Sequence, residues 1–149
     1  MEWYRLVLIL HILGATIWVG GHLILSLAIL PGALRSRNPA IVREFEARYE
    51  RIGIPSLATQ VVTGLLLAYY WTRTFDAFLP PSSTVAWFIT VKLALLLATV
   101  VIAAHARLRV IPTLHEGTLK TLAYHAFAVT VLGVALLVLG IGIRTGGLL

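Results

Sequence analysis

His11, His22, His105 and His125 lie in or at the ends of segments that are otherwise almost wholly apolar, and a lipid interior does not hold an imidazole idle. Imidazole nitrogens ligate haem iron axially and bind copper directly, and these are the two chemistries the histidines put forward. His22 paired with His105 or His125 would clamp a b-type haem between helices, with Arg35, Arg37, Arg107 and Arg109 in reach of its propionates. A copper ion would instead take three imidazoles directly. The chain has no cysteine and a single methionine, Met1, so a copper site here has to be built from nitrogen and not from sulfur. Together with Trp18 and Lys92, the four histidines and four arginines form the candidate cofactor-binding set, and the histidines the candidate metal ligands.

The elements that must position these groups follow from composition. Of 149 residues, 59% are hydrophobic and 12% charged, which describes a small polytopic membrane protein with no room for a second domain. Apolar runs over 4–30, 54–71, 85–106 and 122–143 are each close to the ~20 residues that cross a hydrocarbon core. The expected fold is therefore all-α: one membrane-embedded four-helix bundle over residues 1–149. The first run is too long, and its flanks too poor, for a cleaved signal peptide, so it is expected to remain as helix one.

Arg35, Arg37, Arg43, Arg48 and Arg51 fall between runs one and two, and Arg107, Arg109 and Lys120 between three and four; the other side carries only Arg5, Arg73 and Arg144. The positive-inside rule makes both basic connections cytoplasmic and places both termini outside a bacterial-type inner membrane. The net charge of +6 is thus a topology signal, and no nucleic-acid module accompanies it. Asn38-Pro39 begins a short amphipathic stretch with Ile41, Phe45, Tyr49 and Ile52 on one stripe, expected as a surface helix that ends before Pro55 opens helix two. Trp3, Tyr4, Tyr69, Tyr70, Trp71 and Trp87 mark an aromatic belt at the outer ends, and Leu79-Pro80-Pro81 the outer turn.

At a rise of ~1.5 Å per residue, His11 lies roughly 10 Å inside the outer surface and His22 about 16 Å deeper. Lys92 shares the depth of His11, while His105 and His125 share the cytoplasmic half with His22. Steps of 100° put His11, Trp18 and His22 on one face of helix one beside Gly14 and Ala15, a stripe that must face the bundle. Ala94 and Ala98 lie above His105, and Ala128, Val129 and Leu132 follow His125, leaving a slot or simply letting helices approach. Ser56, Gln60, Thr63 and Gly64 give helix two a mildly polar face able to hydrogen-bond inward. His115, in a polar loop, is expected to be solvated.

The run Leu10-His11-Ile12-Leu13-Gly14-Ala15-Thr16-Ile17-Trp18-Val19-Gly20-Gly21-His22, followed by Leu30-Pro31, then Phe45-Glu46-Ala47-Arg48-Tyr49-Glu50-Arg51, resembles the small stand-alone members of the copper-resistance D (CopD) family. The likeness extends through Ala104-His105-Ala106-Arg107-Leu108-Arg109 and Arg144-Thr145-Gly146-Gly147. A wider resemblance, through Leu10-His11 with Trp18, Glu46-Ala47-Arg48 and Trp87-Phe88 with Lys92, is to HemJ-type protoporphyrinogen oxidases, four-helix membrane proteins that carry haem. That resemblance implies His11 as a haem-ligand position and Lys92 as its functional partner, whereas His22 and His125 lie outside the HemJ pattern.

Three functions remain open on this reading. The residue chemistry favours an integral b-type cytochrome that passes electrons with a redox protein or quinone. A CopD-like protein that moves or buffers copper through intramembrane histidines is the alternative, and HemJ-like tetrapyrrole oxidation a weaker one. The lipid bilayer is the expected partner in each, with self-association or membership of a larger membrane complex left open.

Overall fold

The computed structural model describes residues 2–74 and 80–145. Met1, Leu79 of the outer turn and Gly146-Gly147 of the family-like C-terminal run lie outside them. Four helices are long and apolar enough to cross a membrane, and the chain is a helical bundle. Their lipid-facing positions, among them Leu6, Ile9, Leu27, Val62, Leu97 and Val101, are exposed, as expected where acyl chains and not protein cover the surface.

The first span comprises α1 (Glu2–Ile24), a π-helical turn (Leu25–Ile29) and α2 (Leu30–Ser36). It stops where Arg37 takes a left-handed conformation, φ 53°, and Asn38 caps α3 by accepting a hydrogen bond from the Ala40 amide at 3.0 Å. From there α3 (Pro39–Thr72) runs unbroken for 34 residues. The expected surface helix and helix two are therefore one element, and Pro55 lies inside it instead of opening it. The reason is that proline removes only one intrahelical bond, the one to the Arg51 carbonyl, and the helix continues on both sides of it. α4 (Thr84–His105) begins at Ser83, whose side chain caps the Ala86 amide, and passes into a second π turn (Ala106–Val110). α5 (Leu119–Thr145) closes the bundle.

Packing is uneven. α1 lies along α3, α4 along α5, and α1 against α5, whereas α3 and α4 barely touch. The spans thus form a ring in chain order, with the first and third standing diagonally. The largest buried cluster, including Leu25, Ala33, Val42, Leu114, Leu119 and Leu122, plugs the end that holds the basic connections. At the opposite end Tyr70 meets Trp3 and Tyr4 at ring separations of 5.6 and 4.4 Å, Arg73 stacks on Tyr70, and Arg144 reaches the Tyr4 hydroxyl.

Candidate functional site

Along the first span, the His11, Trp18 and His22 stripe does turn into the bundle. Its two histidines reach different chambers. The outer one, about 320 Å³, is lined by His11, Gln60, Lys92, Arg144 and many aliphatic side chains from all four spans. The inner one, about 110 Å³, is lined by His22, Glu46, Tyr49, Glu50, Arg107 and His125. Among the described residues Trp18 alone lines both, and its indole Nε1 is buried without a hydrogen-bond partner.

His11 is held by the polar face of α3. Its Nδ1 lies 2.9 Å from Thr63 Oγ1, and because that hydroxyl donates to the Thr59 carbonyl, Nδ1 carries the proton and Nε2 the lone pair. Gln60 donates to the His11 carbonyl, and Gly64 leaves room for the ring: a Cβ there would lie 3.3 Å from His11 Cε1. Gly64 serves close approach, as Gly14 does where a Cβ would meet Gln60 and the Ser56 carbonyl at 3.1 Å.

His22 stands just before the first π turn, with Thr130 Oγ1 of α5 reaching its carbonyl at 3.1 Å and Ser26 Oγ at 2.7 Å. Its Nδ1 donates to the Trp18 carbonyl at 2.9 Å, leaving the Nε2 lone pair free of any hydrogen bond among the described residues. The Trp18 indole tilts over the imidazole at 4.3 Å, and the Tyr49 ring meets it edge-on at 5.8 Å. Tyr49 is seated by glycine on both sides, since a Cβ at Gly21 would overlap its ring and one at Gly53 would come within 2.8 Å. Its hydroxyl donates to the Trp18 carbonyl at 3.0 Å.

Across the inner chamber His125 is oriented in the same way. Nδ1 donates to the Thr121 carbonyl at 2.8 Å, so Nε2 accepts from Nδ1 of His105 at 2.8 Å. The two rings stack at 5.0 Å with planes 15° apart. Glu50 is paired with Arg107, while Glu46 makes no direct hydrogen bond or ion pair among the described residues and has both as electrostatic neighbours.

The remaining candidates disperse. Arg35 folds back on the Pro31 carbonyl, Arg37 pairs with Glu116 at 3.2 Å in the open, and Arg109 is exposed; only Arg107 faces a chamber. Ala94 is exposed to lipid, so no slot continues above His105 along that face. His115 caps a short turn with Thr118 at the surface. Tyr49, Glu46 and Glu50 are the lining residues that sequence reasoning did not single out, although they lie in the quoted Phe45-to-Arg51 run. Their spacing of i, i+3, i+4 is the signal that they share a face.

This geometry does not form the expected haem clamp. His105 and His125 bond to each other on one side, not across a macrocycle, and the chamber that His125 shares with His22, which His105 does not line, is well below the ~300 Å³ at which pockets begin to take drug-sized molecules. No second imidazole lines the outer chamber with His11. The donor set of the inner chamber, imidazole with carboxylate, fits a small cation of copper's preferences. Among the described residues no three such groups converge as a finished metal cluster.

Residues 43–143, more than half of the chain, match the family model described as copper resistance protein D. The chain belongs to that family. No curated protein and no solved structure matches it. The match includes Glu46, Tyr49, Lys92, His105 and His125 of this CopD-family chain, while His11 and His22 precede it. It relates the chain to copper-resistance membrane proteins; neither haem nor the wider HemJ resemblance finds support in these comparisons.

Proposed function

We propose that this CopD-family protein handles copper as cargo inside the membrane, the inner chamber being the place where the ion is held. The observation that carries the reading is the shared orientation of His22 and His125. Each lines a chamber that also holds Glu46 and donates Nδ1–H to a backbone carbonyl four residues earlier, which fixes the tautomer and leaves Nε2 as the accepting nitrogen, unpartnered at His22 among the described residues and bonded to His105 at His125. Metal-binding histidines are oriented in this manner.

His105 serves as the exchange partner. Imidazole nitrogens on one tetrahedral or linear metal ion are separated by about 3.3 to 4 Å, given metal–nitrogen bonds of ~2.0 Å. The 2.8 Å contact between His105 and His125 therefore opens by an ångström or so when copper replaces the shared proton, which moves to Nε2 of His105. A low-coordinate site of this kind releases its ion as readily as it takes it, as cargo requires. The basic connections at this end support a position of the chamber toward the cytoplasmic face of a bacterial-type inner membrane.

Metal content and absorption spectrum, measured on one detergent-purified sample loaded with copper(I) and washed, test the reading. About one copper per chain is expected, with affinity reduced on the order of 10-fold or more in His22→Ala and His125→Ala and unchanged in His115→Ala. Sharp reduced α and Soret bands in place of copper, or full copper retention in both variants, would refute it.

A further inference from the structure

The outer chamber has the wrong sign for a metal cation. Among the described residues its ionisable lining groups are Tyr4, His11, Lys92 and Arg144, and no aspartate or glutamate lines it. Lys92 is half-buried eight residues into α4, about 12 Å along the helix. Its Nζ rests beside Gly140, where a Cβ would lie 3.1 Å away, and no carboxylate among the described residues pairs with it. Apart from Thr16 and Gln60 the rest of the wall is aliphatic and aromatic, from Leu8 and Ala15 through Leu93 to Leu137. A basic group held at that depth in an apolar chamber calls for an anion carried on an apolar body.

The route to the chamber narrows the class. The seam between α3 and α4 is the loosest in the ring, and both helices line the chamber, so its side approach is from the acyl region of the bilayer. A phosphodiester keeps its charge at any physiological pH and holds its headgroup at the interface. A carboxylic acid crosses hydrocarbon in its neutral form and ionises where a cation meets it. We infer that the outer chamber binds a long-chain monocarboxylic acid, its carboxylate at Lys92 and its chain along the apolar wall. This site is distinct from the copper chamber and stands or falls without it.

Trp18 and Trp71 line the chamber and report on it. The test uses the full chain in nanodiscs of zwitterionic lipid, with tryptophan fluorescence quenched by dibrominated stearic acid, by its methyl ester, or by a dibrominated anionic phospholipid. The acid is expected to quench at roughly tenfold lower concentration than the ester, a difference of about one charge-assisted contact. Lys92→Arg keeps that advantage, whereas Lys92→Gln loses it. Gly140→Leu, which fills the space beside the amine without altering charge, also loses it and decides the matter should Lys92→Gln not fold. Equal quenching by acid and ester, preference for the phospholipid, or an acid advantage that survives both Lys92→Gln and Gly140→Leu overturns the assignment.

Discussion

A methyl group at Gly21 has nowhere to go, because the Tyr49 ring already fills its position. Gly21→Ala is therefore expected to cost about 1–3 kcal/mol, as overpacking does, and to displace Tyr49 from the edge of His22. Thermal unfolding in detergent reads the first effect, and weakened copper retention the second. Gly20, where an added Cβ meets nothing, is the control: Gly20→Ala should leave both unchanged. The histidines themselves were legible in the sequence, since intramembrane imidazoles stand out against an apolar background. Tyr49 and Glu46 were not, because in sequence they read as the stripe and the polar side of a surface helix. Only the fold shows that α3 carries that stretch into the bundle beneath His22. The pairing of His105 with His125 was equally hidden, for depth places two residues at one level without saying on which side of the bundle they meet.

At the level of elements, two histidines stand at the edges of π turns, His22 ahead of Leu25–Ile29 and His105 ahead of Ala106–Val110. A π turn shifts helical register by one residue, and just before the first one the Thr130 hydroxyl lies between the Ala126 and His22 carbonyls, at 2.7 and 3.1 Å, and ties α5 to the first span. Thr130→Val should cost on the order of 0.6 kcal/mol, the usual worth of an interhelical hydrogen bond in a membrane. It should also raise hydrogen exchange of the backbone amides after His22, and protection equal to that of the unaltered chain would show that the cap is idle. Helix periodicity in the sequence cannot reveal such turns, because a single inserted residue disturbs the apolar pattern no more than ordinary variation does. Pro55 misled for a related reason: it reads as a helix boundary in sequence, whereas within a membrane helix the loss of one backbone bond is tolerated.

For the whole molecule, the spans were readable from hydropathy alone, as was the bundle they form; the ring order and the uneven seams were not, because they depend on which small residues meet which. Four crossings place both ends on one side. The absence of cysteine makes that side directly measurable. Single cysteines at Arg37 and His115 should react with a membrane-impermeant thiol reagent only after the cytoplasmic face is exposed, and one at Trp3 in intact cells; the reverse pattern would invert the assignment. The inner end is a dense plug below a small acidic and imidazole chamber, and the outer end a looser, basic and oily one.

The long third helix acquires a mechanical meaning in this setting. Below Pro55 it lends Glu46, Tyr49 and Glu50 to one chamber, and above it Gln60 and Gly64 to the other, so a single beam forms part of the wall of both rooms. A displacement of Glu46 toward an ion would act on the same rod that cradles His11, with Pro55 lying between the two. Were copper held at one end and an acid at the other, any influence of the first on the grip of the second would be returned by the same factor.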